Sequence, residues 1–180
     1  GFPVSAAHYQ MINPAIIIAM SFLMPRFYEI FKRFTIPYQF ATGTMLGGMA
    51  LLLMYLACVN ATNGLVNGNL IALTYVMLSI AELWVSAVGL SMIGLYCCHR
   101  MIAFAMGVWY LSHSLSQVIS GQVAQWVALP KGTLSPSETL TVYQHYYFDM
   151  GLVAVLLGMM MWLFAYLVTR RLERRGVKLA

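Results

Sequence analysis

Three observations predict an all-α integral membrane protein. Of the 180 residues, 61% are hydrophobic and only 8% charged, with mean hydropathy +0.77; a soluble domain carries charge on about a quarter of its residues. Five apolar stretches each supply the ~20 residues that cross a bilayer core of about 30 Å. The basic residues cluster in alternate connecting segments, as expected when Lys and Arg are retained on one side. Little polar sequence separates the stretches, so the chain 1–180 reads as one membrane unit with no separate soluble domain.

The first span, residues 6–26, carries the amides Gln10 and Asn13. Pro14 and Pro25 within it start, kink or stop a helix, and the sequence leaves Asn13 open between a structural amide and a ligand group. The second span, 38–59, contains Gly43 and Gly47 at a spacing of four, followed by Gly48, a pattern that lets helices approach closely. The third, 70–95, holds Glu82 near its middle. There an unpaired charge costs roughly 2.5–3.5 kcal/mol on insertion scales, so the carboxylate is expected to face a polar interior. Thr74, Ser79, Ser86 and Ser91 accompany it. The fourth, 101–128, places Trp109, Ser112, His113, Ser116 and Ser120 on one helical face by their spacings of three and four. Single serines of this kind often bond the preceding turn, but the whole stripe reads as cavity-facing. The fifth, 147–168, is almost wholly apolar and leads to a basic tail, 169–180. The first, third and fourth spans are therefore expected to line a polar interior, and the second and fifth to face lipid.

Arg26, Lys32 and Arg33 follow the first span, Arg100 the third, and Arg170, Arg171, Arg174, Arg175 and Lys178 the fifth. Nine of the ten basic residues thus share one side, with Lys131 as the exception, which places the end of the chain in the cytoplasm and its start outside. The net charge of +5 is then a topology signal and no nucleic-acid footprint. The chain begins with Gly1, and a helix before residue 6 would complete two groups of three, as in transporters built from three-helix repeats. A processed or partial chain is the resulting expectation.

Hydrolase, phosphate-loop and dinucleotide motifs are missing from the sequence, so neither an enzyme nor a cofactor is expected. Cys97, Cys98 and His99 are consecutive and cannot surround a metal ion, and Cys58 lies far from them in sequence. The Asn60-Ala61-Thr62 triplet is a weak match to a glycosylation pattern.

Ala81-Glu82-Leu83-Trp84-Val85-Ser86-Ala87-Val88-Gly89-Leu90-Ser91 and Met106-Gly107-Val108-Trp109-Tyr110-Leu111-Ser112 resemble the tenth and eleventh helices of proton-dependent oligopeptide transporters. Tyr9-Gln10-Met11-Ile12-Asn13-Pro14 is similar to the eighth-helix motif, and residues 134–143 resemble the last external loop of bacterial di- and tripeptide permeases. Ala87 stands where the family usually has proline. The resemblance implies a major facilitator superfamily-type helical bundle, with this chain as the carboxy-terminal five of twelve transmembrane helices in a cell inner (plasma) membrane. It implies a proton-coupled di- or tripeptide symporter with alternating access, whose partners are peptide, protons, the lipid bilayer and an amino-terminal helical half.

By the same resemblance Glu82 pairs with the peptide amino terminus, while Asn13 and Trp109 help line the pocket. Ser86, His113 and Gln10 complete the expected substrate-facing set. His113 is a candidate proton relay because imidazole titrates near neutrality. The alternatives are a non-transporting sensor or assembly subunit, or a related symporter for another small solute. An anionic solute is disfavoured by the Glu82 carboxylate.

Overall fold

The computed structural model describes residues 6–30, 35–61, 65–127 and 136–174. Lys32, Arg33, Lys131, Arg175, Lys178, Thr62 and residues 134–135 lie outside them, as does the side chain of Gln10. The described residues form five helices: α1 (Ala6–Ile30), α2 (Ile36–Val59), α3 (Gly68–Tyr96), α4 (Ile102–Val127) and α5 (Pro136–Glu173). A 3-10 turn, His99–Met101, joins α3 to α4.

Local sequence accounts for the boundaries. Thr35 is extended ahead of α2 and Pro37 sits in its first turn, where a missing N–H costs no helical bond. The Asn67 side chain accepts a hydrogen bond from the Asn69 N–H at 3.0 Å and caps α3. In α1 the helix continues through both Pro14 and Pro25. The segment expected as an external loop before residue 147 is helical from Pro136 onward, making α5 38 residues long. Pro136 opens that helix, Glu138 suits the positive end of its dipole, and no proline or glycine follows until Gly151. At 1.5 Å per residue α5 is about 57 Å long, well beyond the ~30 Å hydrocarbon core.

Four helices, α2 to α5, are long and apolar enough to cross a membrane, and α1 contributes a shorter apolar stretch over Met11–Met24. Among the described residues, α2 packs on α3 along one face and on α5 along another, α1 meets only α3, and α4 touches its neighbours sparsely. α2, expected to face lipid, is the helix that packs between two others, and its small residues explain why. A Cβ on Gly43 would lie 2.9 Å from the Cβ of Trp84 and 3.3 Å from the Ala81 carbonyl oxygen on α3. A Cβ on Gly48 would lie 2.7 Å from the Val155 nitrogen and 2.9 Å from the Gly151 oxygen on α5. Ala41, Ala50 and Ala57 are fully buried between them. Without a hydrophobic drive between helices in lipid, such close backbone approach is a main source of association.

The α2–α5 pair is antiparallel and pinned at both ends by rings. Tyr38 meets Trp162 edge-on at 5.3 Å between centroids, and Tyr55 meets Phe148 at 5.2 Å. The Gln144 side-chain amide donates to the Cys58 carbonyl at 3.1 Å, closing the far end.

Candidate functional site

Glu82 stands at the midpoint of α3, fourteen residues from either end of Gly68–Tyr96. The helix is about 43 Å long at 1.5 Å per residue, close to a whole bilayer with its headgroups, and the carboxylate stands at its middle. It is exposed on the face toward α1. Asn13 Nδ2 donates to Glu82 Oε2 at 2.9 Å and joins the two helices. The other amide atom, Asn13 Oδ1, is buried and has no hydrogen-bond partner among the described residues. A buried unpaired acceptor costs free energy until a donor reaches it, so the pair presents a negative oxygen and an unfilled amide oxygen together. That combination suits a cationic N–H donor.

The remaining expected residues fall in different places. Ser86, half-buried, lies four residues beyond Glu82 and therefore on the same face of α3. His113 is exposed on α4, and its carbonyl accepts the Ser116 hydroxyl at 2.7 Å. No hydrogen bond among the described residues ties His113 or Ser86 to Glu82. Ser112 and Ser114 donate to the carbonyls of Trp109 and Tyr110 at 2.7 and 3.0 Å. Two hydroxyls of the α4 stripe, Ser112 and Ser116, and that of neighbouring Ser114 are thus satisfied by their own helix. The backbone of Gln10 lies in α1, one turn before Asn13.

Trp109 of α4 has its ring against Gly89, which lies about two turns from Glu82 on α3, and edge-on to Phe40 of α2 at 6.2 Å. A Cβ at Gly89 would overlap the indole. Sequence reasoning noted Trp109 but missed this seat; the signal was a glycine in the helix interior of α3, where it costs about 1 kcal/mol unless close packing needs it. Gly89→Ala is expected to displace the indole and cost about 1–3 kcal/mol by overpacking. A lowered melting temperature with altered tryptophan fluorescence checks this; an unchanged pair of signals counts against the seat.

An all-helical bundle of apolar helices with a carboxylate at the middle of one, held by an amide from a second, fits a polytopic transporter. The family model for the POT family matches residues 1–145, and the chain belongs to that family. It is 34% identical over 155 residues to a dipeptide and tripeptide permease A from Chromobacterium violaceum, covering 85% of this chain and 31% of the relative. A permease of the same name from Klebsiella pneumoniae is 31% identical over 167 residues, covering 92% and 33%.

Among solved structures, tetrameric PepTSo2 superposes with a TM-score of 0.74 at 28% identity, covering 97% of this chain and 34% of that one. A bacterial homologue of the human drug peptide transporters PepT1 and PepT2 gives 0.71 at 26% identity, covering 97% and 34%. The fold is accordingly of the major facilitator type, the protein is a multi-pass membrane protein, and its family is one of transporters, not enzymes. The chain spans about a third of the length of the relatives it matches.

Proposed function

We propose that this chain supplies the carboxy-terminal half-site of a proton-coupled di- and tripeptide symporter in the inner (plasma) membrane. Its carboxy terminus faces the cytoplasm, and it works by rocking against an amino-terminal helical half around a midplane site. The observation that carries the proposal is the Asn13–Glu82 hydrogen bond at the middle of α3. An ammonium group has three donors and no acceptor. Glu82 offers it a charge, and Asn13 Oδ1 offers it a neutral acceptor beside that charge.

Because Nδ2 donates to Oε2, the amide holds the carboxylate in place before substrate arrives, which lowers the ordering cost of binding. The peptide carboxylate needs a cation of its own, which this proposal assigns to the amino-terminal half. Bringing the halves together around both charged ends excludes water and strengthens each pair. The protein performs no covalent step. Ser86, Trp109, His113 and Gln10 are the further substrate-facing residues of the proposal, with His113 as a proton-relay candidate.

Asn13→Ala in the full-length protein carrying this chain tests the amide. Loss of a hydrogen bond to a charged group, about 1.5–3 kcal/mol, is expected to raise the KM for dipeptide uptake by roughly tenfold or more. Glu82→Gln should show a larger defect. An Asn13→Ala protein with wild-type KM would remove the amide from the site.

A further inference from the structure

We infer that Phe40 of α2 sets the side-chain preference of the transporter, by fixing the Trp109 indole as the surface against which the second side chain of a peptide packs. This rests on the transport reading and adds to it a positioning residue outside the substrate-facing set. Gly89 follows Glu82 on α3 by two helical turns, so it shares a face with the carboxylate and lies about 10 Å further along the helix. The Trp109 indole lies on Gly89. An extended dipeptide covers about 7 Å of backbone, and a phenyl side chain on its second residue spans what remains between an ammonium group on Glu82 and the indole.

What holds the indole there is its second contact. Among the described residues α4 touches its neighbours sparsely, so the packing of α4 as a whole does little to fix the ring. Phe40 meets it edge-on, with 6.2 Å between centroids and 66° between planes, an arrangement that aromatic pairs prefer. Phe40 itself stands on a firm base. It precedes Gly43 by about one turn on the same face of α2, and a Cβ on Gly43 would lie only 2.9 Å from the Trp84 Cβ of α3. Open space adjoins the pair of rings. Phe40, Gly89 and Trp109 border an apolar groove of about 730 Å³, whose further walls include Met92, Met161 and Phe164. Without the phenyl ring, the space it fills joins that groove, and the indole gains room to leave Gly89. A displaced indole presents no fixed surface to a substrate side chain.

The test is the ratio of KM values for Ala-Ala and Ala-Phe in proton-gradient-driven uptake by the full-length protein in liposomes. An aromatic contact with the indole predicts that the wild type has a KM lower for Ala-Phe by about two- to tenfold. Phe40→Ala is expected to bring the ratio to parity with little change in kcat, and Phe40→Tyr, which keeps the ring edge, to restore it. Phe40→Leu, which keeps apolar bulk without the ring, serves if the alanine variant does not purify as a single species, and is expected to lower the ratio. In a Trp109→Ala background, Phe40→Ala should leave the ratio where Trp109→Ala alone puts it, because Phe40 acts through the indole. A purely structural role would change uptake of both dipeptides alike, and that result would overturn the inference. So would an undiminished ratio in both the alanine and leucine variants, or a wild type that does not distinguish the two dipeptides. Dipeptide uptake that depends on Glu82 would leave the transport reading standing in each of these cases. Absence of uptake of either dipeptide by the wild type would overturn that reading, and this inference with it.

Discussion

Replacing Glu82 by Gln is expected to abolish proton-gradient-driven dipeptide uptake by the full-length protein while leaving it folded. The substitution keeps the shape of the side chain and its capacity to accept from Asn13 Nδ2, so α1 and α3 remain joined. What it removes is the charge. A peptide ammonium entering the site would then lie at the membrane centre beside two neutral amides, with nothing to offset its desolvation. Truncating one partner of a desolvated charge pair costs roughly 2–5 kcal/mol or more, which is about 30-fold or more in affinity. Uptake into liposomes, paired with thermal melting, separates this effect from misfolding. A Glu82→Gln protein that melts normally and transports normally would make Glu82 a structural group.

Gly48→Leu is expected to have the largest effect on folding. At this position a Cβ meets backbone, with the Val155 nitrogen at 2.7 Å and the Gly151 oxygen at 2.9 Å. Neither atom can rotate away as a side chain does, so the helices must separate. Because α2 is the central helix, separation from α5 also disturbs the aromatic contacts of Tyr38 with Trp162 and Tyr55 with Phe148. Overpacking costs about 1–3 kcal/mol even where neighbours can adjust, and more is expected against a fixed backbone. Gly48→Ala should lower the melting temperature, and Gly48→Leu should prevent recovery of a monodisperse protein. Gly94→Ala is the control, since open space surrounds Gly94; there alanine, the better helix former, is expected to be neutral or mildly stabilising. Equal melting of all three variants would contradict the close α2–α5 approach.

Glu82 and Asn13 were legible in the sequence because a carboxylate and an amide are costly in an apolar run, and cost is visible without coordinates. Their juxtaposition was not, since a sequence separation of 69 leaves the pairing to the packing of α1 on α3. The glycines of α2 were legible as a packing motif, but hydropathy did not place the helix between α3 and α5. Counting polar groups predicts which helix faces water; it does not predict which helix has a surface small enough to sit between two others. Trp109 illustrates a third limit. Its spacing put it on the face of His113 and Ser116, yet the indole reaches across to Gly89 and Phe40, because a ring of that size finds its partner on a neighbouring helix. The early start of α5 was hidden by polar residues that suggest a loop by composition but form a helix when no breaker follows Pro136.

The central claim is that Glu82 receives the amino terminus of a peptide, and the most direct measurement is competition in proteoliposomes containing the full-length protein. Uptake of a labelled dipeptide under an inward proton gradient is challenged with the same dipeptide, free or N-acetylated. Acetylation removes the ammonium charge and leaves the rest of the ligand in place. The account predicts that the free dipeptide competes at least about 30-fold better in the wild type, and that the same difference in peptide binding shrinks toward parity in Glu82→Gln. Equal competition by the two peptides in the wild type would contradict it.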